Sequence, residues 1–543
     1  MLTANHSNQM AVLTVHVGAS VTCLPFGRGR SVREILDLFG PRVRAACGGI
    51  GACGACVVRV LRGEVNPLMP AERLRLDSAA QARGERLACQ LRLLGDLAIR
   101  IDHPPPPSVW TTIPMEDLCP VSSEQPAAIR YKYGLAVDLG TTHIRLSLWD
   151  CGSRQRMATR RGPNPQGVFG ADVLSRLDAA RIHAAELARL VRDALIDALR
   201  DMLARELGKV TPLLADVGRV MIVGNTAMLT LLTGAGYDTL IDPAYWQQPI
   251  SCQPPDWQAW QQAWGLPNAE IVLPAPVAGF IGSDLVADLI ATDLVEGPPG
   301  SMLLDLGTNV ELALWTGQRV LVTSTPGGPA FEGVGIRHGM PVQIGAIYRV
   351  HGIDAAFSCE VIGGVAPQGF CGSGLLDGIA RLLENGALKP SGRFTVPPGT
   401  EGYRLDPDNP RTAITGHDVD AFQRAKAATA AAMGTLLAVA GLEWSDLQRL
   451  CICGSFGHHL DLSLAQSVGL LPPLALSRME LMTNAALSGC EQALLDGAGM
   501  ARFARLTHLM APVNLSMRGR YDDDYLDHLR LKPISLSQNQ TIK

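Results

Sequence analysis

The sequence predicts a multidomain chain: a small α+β domain first, then a larger α/β domain of two similar lobes. Three observations carry that prediction. A glycine- and cysteine-rich loop lies between strand-like segments that end at a run of prolines. A motif beginning DLGT occurs twice. And 543 residues exceed what one hydrophobic core organises, with about 150 residues per domain as a guide.

The first domain is expected over residues 1–102. Residues 10–16, MAVLTVH, and 96–101, DLAIRI, carry strand-like apolar patterning, while SVREILDLFG (31–40) opens on a serine cap and continues with helical spacing. Asp102 and His103 are followed by Pro104, Pro105, Pro106 and Pro107, which donate no backbone hydrogen bonds and favour an extended path. Residues 103–133 therefore read as a Pro-rich linker.

From Gly134 onward, apolar strands ending in glycine turns lead into long helical stretches such as 172–203, which argues for layered α/β structure over 134–543. Within it, DLGTTHIRLSLW (138–149) recurs as DLGTNVELALW (305–315), one residue shorter, each copy after an apolar strand. A duplication of so long a period fits two lobes, about 134–300 and 301–543. A solenoid would need three or more short repeats.

Apolar residues make up 47%, charged residues 18%, and the net charge is −4. That balance argues against disorder and gives no electrostatic case for nucleic acid or a membrane surface. The first twenty residues lack a basic start followed by an apolar run, and eighteen consecutive apolar residues occur nowhere. The expectation is a cytoplasmic protein whose partners are small molecules or other proteins.

Of thirteen cysteines, one group has a tight spacing: Cys47, Cys53 and Cys56 as C-x5-C-x2-C, with Cys89 following alone. Three thiolates from one loop and a fourth from a distant segment can enclose two irons, as in a [2Fe–2S] cluster. Zinc also accepts four thiolates, but zinc ribbons usually place them as two CxxC pairs. Gly48, Gly49, Gly51 and Gly54 let the loop fold tightly and aim N–H groups at sulfur. The loop is one residue longer than the plant-type ferredoxin pattern and resembles the adrenodoxin-type variant.

The chain has no G-x-x-x-x-G-K-[ST] phosphate loop. The DLGT pair offers another grip. At Asp138, Gly140, Thr141 and Thr142, and again at Asp305, Gly307 and Thr308, N–H and hydroxyl groups can hold phosphate oxygens while the carboxylate orients hydrated Mg²⁺. With GSFG (454–457) after the strand LCIC, this set resembles the acetate and sugar kinase, Hsp70 and actin superfamily. The resemblance implies an actin/Hsp70-like duplicated fold that holds ATP with Mg²⁺ between its lobes. It also implies catalytic roles for Asp138 and Asp305, and adenosine near Gly454, Ser455 and Gly457.

Further phrases extend the likeness: NPQGVFGADVLSR (164–176), VGNTAM (223–228), GGPAFEGVGIRHGM (327–340) and CGSGLLDGIA (371–380). With the cysteine loop and linker, nearly the whole chain resembles the reductive activators of corrinoid proteins. That resemblance implies a β-grasp ferredoxin-like first domain and an ATP-dependent one-electron reduction of Co(II) corrinoid to Co(I). Its partners would be the corrinoid protein of a methyltransferase system and an external low-potential electron donor, and the reading allows a homodimer. STPGGPAFEG (324–333) is expected beside the corrinoid or the γ-phosphate. There Ser324 or Thr325 would present a hydroxyl to cobalt, and Gly327 and Gly328 would permit close approach. Two rivals stand beside this reading: a redox-sensing kinase of a small metabolite, and an ATP-gated electron donor to another enzyme.

Overall fold

Alternation along MAVLTVHV puts Ala11, Leu13 and Val15 on one buried face. This strand is β1 (Met10–Val17), followed by β2 (Ser20–Gly27), β3 (Val57–Arg62), β4 (Glu85–Leu87) and β5 (Leu97–Arg100). They form one sheet in the order β2-β1-β5-β3-β4, with β1 antiparallel to β2 and parallel to β5. The helix Val32–Phe39 lays Val32, Ile35 and Leu36 against the buried face, an i, i+3, i+4 stripe. The computed structural model describes residues 10–27, 29–39, 41, 43, 51, 54, 56–102, 110–113, 117–119, 131–170, 172–207, 211–327, 330–343, 345–353, 356–454, 459–517 and 521–535.

The compact unit that holds this sheet comprises residues 1–110 together with 162–191, and the second unit comprises 111–161 and 192–543. The chain pattern alone would have given 162–191 to the first lobe. Two features account for the difference. Arg33, itself buried, donates from Nη2 to the Val168 carbonyl at 2.5 Å. The long helix Val173–Leu207 also leaves helical angles at His183 (φ −118°, ψ 22°). Local periodicity sees one helix and not the boundary between Val191 and Arg192 that falls within it.

In the second unit, β6 (Tyr133–Leu139) pairs antiparallel with β7 (His143–Asp150), followed by β8 (Gln155–Pro163), while β9 (Val217–Gly224) lies parallel to β6 and carries β10 (Glu270–Val272). The strands β11 (Ser301–Leu306), β12 (Val310–Trp315) and β13 (Val320–Thr325) repeat the pattern. A three-stranded sheet follows, of β14 (Ala346–Ile353), β15 (Ala356–Val361) and β16 (Gly369–Phe370), and then a pair, β17 (Tyr403–Arg404) with β18 (Ala413–Ile414). Last come β19 (Arg449–Cys453), parallel to β11, β20 (Met479–Leu481) and β21 (Met510–Pro512).

The two main sheets run β10-β9-β6-β7-β8 and β20-β19-β11-β12-β13-β21. In each, the strand that leads into DLGT sits between its hairpin partner and a parallel strand that runs to a glycine, Gly224 as the last residue of β9 and Gly454 just after β19. The duplication thus reaches beyond the DLGT segments to MIVGN and CICGS. Among the described residues, no helix is long and apolar enough to cross a membrane.

Candidate functional site

In the first unit, the start of β3 and the turn after β4 bring two thiols together. Cys56 and Cys89 are buried, their Sγ atoms lie 3.4 Å apart, and the Ala88 N–H donates to the Cys56 carbonyl at 2.8 Å. Two thiolates on one tetrahedral metal with bonds of ~2.3 Å lie roughly 3.8 Å apart, so the pair is spaced as co-ligands. Gly51 has φ +83°, and a Cβ there would stand 2.6 Å from the Ala71 Cβ, so that turn accepts only glycine. Behind Cys89, the fully buried Glu72 accepts from Arg86 Nε and Nη2, both at 2.8 Å, and from the Leu87 N–H at 2.9 Å. Burial pushes the Glu72 carboxyl up, but Arg86 and the N–H groups of Met69 and Leu87 outweigh it and hold the group below its ordinary range. Cys47, Cys53, Gly48 and Gly49 lie outside the described residues.

In the second unit, the ends of the two sheets form the walls of a cleft lined mainly by polar and acidic side chains. Asp138, Gly140, Thr141 and Thr142 line it from the β6–β7 turn, and Asp305, Gly307 and Thr308 from the β11–β12 turn. Gly454 closes it from β19. With φ +90°, it leaves room where a Cβ would stand 2.6 Å from Asp305 Oδ1. The helices Ser283–Thr292 and Ala485–Leu495 both begin at its wall, with Asp284 in the first turn of one and Ala485 and Ala486 opening the other. Helix N-termini present unpaired N–H groups and a partial positive charge, which suits anions.

Polar contacts fix the geometry. Asn225, at the end of β9, caps the helix Thr226–Thr233 by accepting from the Met228 N–H, and donates from Nδ2 to Thr141 Oγ1 at 2.9 Å. Arg145 Nη1 donates to Asp138 Oδ2 at 3.0 Å. Thr142 and Thr308 both donate to Glu332 Oε2, at 2.8 and 2.7 Å.

Carboxylates dominate the electrostatics. Burial, then the charges of Asp305 and Asp138, pushes Asp284 up to about 8. Burial and then Asp138 push Asp305 up to about 7. Asp288 and Glu311, 1% and 6% exposed, are pushed well above their ordinary range by burial and then by these neighbours. Asp288 Oδ2 has no hydrogen-bond partner among the described residues. Burial, then Arg145 and Arg161, pushes His143 down to about 3, so it stands neutral. A cluster this acidic takes up protons or a cation.

All seven phosphate-hairpin residues expected from the sequence meet in this one cleft. Ser324 and Thr325 do not line it. Thr325 is 1% exposed at the end of β13 and shares a hydrogen bond with the Tyr521 hydroxyl at 3.4 Å, which turns it inward. Strand alternation leaves Ser324 partly exposed, opposite Glu311 in register. Gly327 packs on the helix Gly416–Ala440, where a Cβ would stand 2.9 Å from the Ala425 carbonyl. Gly328, Ser455 and Gly457 lie outside the described residues. Sequence reasoning missed Asn225, Asp284, Asp288, Glu311 and Glu332. Three of them left a signal: Asn225 and Glu332 fall in VGNTAM and GGPAFEG, and Glu311 aligns with Arg145 when the repeats are superposed.

Residues 300–543 match the C-terminal domain of RACo, the ASKHA domain, and residues 133–297 the RACo middle region. Residues 22–94 match the 2Fe-2S iron-sulfur cluster binding domain. The chain belongs to the reductive activators of corrinoid proteins. This activator joins a ferredoxin-like domain to a domain of the acetate and sugar kinase, Hsp70 and actin type. It is 29% identical over 418 residues to the corrinoid activation enzyme RamQ of Eubacterium limosum, covering 73% of this chain and 69% of that one. It is 26% identical over 384 residues to the [Co(II) methylated amine-specific corrinoid protein] reductase of Methanosarcina barkeri, covering 63% and 66%. A solved reductive activator for corrinoid, iron-sulfur protein superposes with a TM-score of 0.64 at 24% identity, over 98% of this chain and 100% of that one, which shows a shared fold.

Proposed function

We propose that this activator uses ATP to drive the one-electron reduction of a partner protein's corrinoid from Co(II) to Co(I). The observation that carries the reading is the union, in one chain, of the Cys56–Cys89 pair at 3.4 Å with a cleft built from two DLGT hairpins. The names of the relatives supply the corrinoid.

Cys47, Cys53, Cys56 and Cys89 would hold a [2Fe–2S] cluster, which supplies a one-electron relay when bound. An external low-potential electron donor would provide the electron. In the cleft, Thr141, Thr142 and Thr308 would hold phosphate, Asp138 and Asp305 would orient the water shell of Mg²⁺, and adenosine would lie at Gly454, Ser455 and Gly457. Asp284, pushed up to about 8 in the first turn of its helix, suits proton transfer from an attacking water. Gly328 would admit the γ-phosphate or the corrinoid closely, whereas Gly327, packed on the helix Gly416–Ala440, and the inward Thr325 are left out of such contact.

ATP enters for a thermodynamic reason. Each 59 mV of unfavourable one-electron potential costs about 1.4 kcal/mol. A partner held more tightly as Co(II) in an easily reduced state, and released as Co(I) when ATP acts, offsets that cost. The test mixes pre-reduced activator, Mg-ATP and a Co(II) corrinoid protein and follows the visible spectrum. A Co(I) signal that depends on ATP is expected, and its absence with every cognate corrinoid protein would overturn the reading. A Cys56→Ser chain should reduce none, and full activity in that variant would remove the electron path.

A further inference from the structure

One oxygen of Glu332 takes both hydroxyls that the hairpins turn into the cleft. Thr142 Oγ1 donates to Oε2 at 2.8 Å and Thr308 Oγ1 at 2.7 Å, with the two hydroxyls 3.0 Å apart. The three oxygens share two hydroxyl protons, and the ionised carboxylate, an acceptor only, accepts both. A phosphate oxygen would make the same pattern: one anionic oxygen between O–H donors from opposite hairpins. Glu332 therefore competes with phosphate for its donors, and its charge opposes a second anion there. Asp305 feels that charge too, after burial and Asp138.

The base of Glu332 is fixed to the second lobe. Phe331 is 2% exposed and meets Phe422 edge-on at 6.0 Å. The Arg337 N–H donates to Asp418 Oδ1 at 2.7 Å, and the Met340 N–H to the Phe370 carbonyl at 2.9 Å. Yet the carboxylate reaches Thr142 of the first lobe, 190 residues away in sequence. The Thr142 bond ties the lobes together and the Thr308 bond holds the same oxygen within the second lobe, and Glu332 belongs to the stretch STPGGPAFEG.

We propose that Glu332 is a displaceable internal anion. Phosphate of ATP takes Thr142 and Thr308 from it, and its release passes nucleotide occupancy to residues 330–340. No covalent bond changes, since two O–H donors exchange a carboxylate for a phosphate acceptor. The proposal rests on the reading of the cleft as an ATP site, and it makes Glu332 a positioning residue between ATP and the remainder of its own loop.

The test uses the full chain and the variants E332A and E332Q, with ATP and Mg²⁺ as the probe. Calorimetry should show ATP bound about tenfold more tightly by E332A, since a competing charge-assisted pair is gone. E332Q keeps the acceptor oxygen without the charge and should fall between. Hydrogen exchange of the amides of 330–340 should change on adding ATP to the natural protein. In E332A it should stand at the ATP-bound level before ATP is added. Weaker ATP binding by E332A at an unchanged melting temperature would overturn the proposal, because Glu332 would then be a partner of the bound nucleotide. So would identical exchange with and without ATP in the natural protein. A natural protein that behaves as expected in both measurements but makes no Co(I) sinks the corrinoid reading alone, and one that binds no ATP sinks both.

Discussion

The two DLGT hairpins share a backbone and differ in charge. In the first, Asp138 faces Arg145 across the β6–β7 ladder, and the two form an ion pair at 3.0 Å. In the second, the same ladder position sets Asp305 against Glu311, two carboxyls, with Asp284 and Asp288 close by. One hairpin neutralises itself, and the other concentrates acid. Burying an unpaired charge is expensive, so the second hairpin keeps protons or takes a cation. The comparison explains how a duplicated motif serves unlike ends of one ligand. On the proposed reading, the first hairpin tolerates phosphate and the second holds Mg²⁺.

The most severe test of that division is to make the hairpins alike. Glu311→Arg places a cation where the first hairpin has one, opposite Asp305. It should cut ATP turnover by about 100-fold or more, the scale of losing a preorganised electrostatic contact, and raise the melting temperature. Phosphate release at saturating Mg²⁺ measures the first effect. Unchanged turnover would mean that the charge difference has no catalytic consequence.

A smaller effect separates the hairpins by stability. Arg145→Met strips Asp138 of its partner and should cost about 3 kcal/mol, whereas Glu311→Gln removes a like charge and should be neutral or stabilising. The difference depends on pH. Unfolded carboxyls ionise near pH 4, while the folded cleft keeps protons on Asp305 and Asp284 up to about 7 and about 8. Between those limits the folded chain binds more protons than the unfolded chain, so stability falls as pH rises through that window. Glu311→Gln should flatten the fall, and so should Mg²⁺. Urea melts at about pH 5 and pH 8 read both, and equal slopes in the variant and the natural protein would break the comparison.

How much of this was legible in the sequence follows from the range of each interaction. The repeat DLGT and the thiol spacing are local patterns, so the architecture and Asp138, Thr142, Asp305 and Thr308 could be read directly. Glu311 was visible as the residue that replaces Arg145, but only strand register shows that each of the two stands opposite an aspartate. Asp284 and Asp288 arrive on a helix whose apolar stripe looks ordinary, and only packing brings it to the cleft. Glu332 reaches Thr142 across 190 residues, a contact no window of sequence contains. Thr325 shows the converse: its neighbours resemble a ligand loop, but strand alternation buries its hydroxyl.

The smallest expected effect lies where β9 and β19 end. In the first lobe Asn225 follows Gly224 and donates to Thr141, while the second lobe repeats that glycine as Gly454. Asn225 therefore does two jobs, since its Oδ1 caps the helix Thr226–Thr233 and its Nδ2 orients the hairpin hydroxyl. Asn225→Ala loses both and should cost about 1 kcal/mol for the cap, with ATP binding about threefold weaker for one neutral hydrogen bond. Asn225→Asp keeps the cap and loses only the donor. It should melt like the natural protein, yet its added charge beside Thr141 should weaken ATP at least as much as Ala does. If Asp instead restores affinity along with stability, the first hairpin needs the cap alone, and the asymmetry between the lobes ends at Arg145 and Glu311.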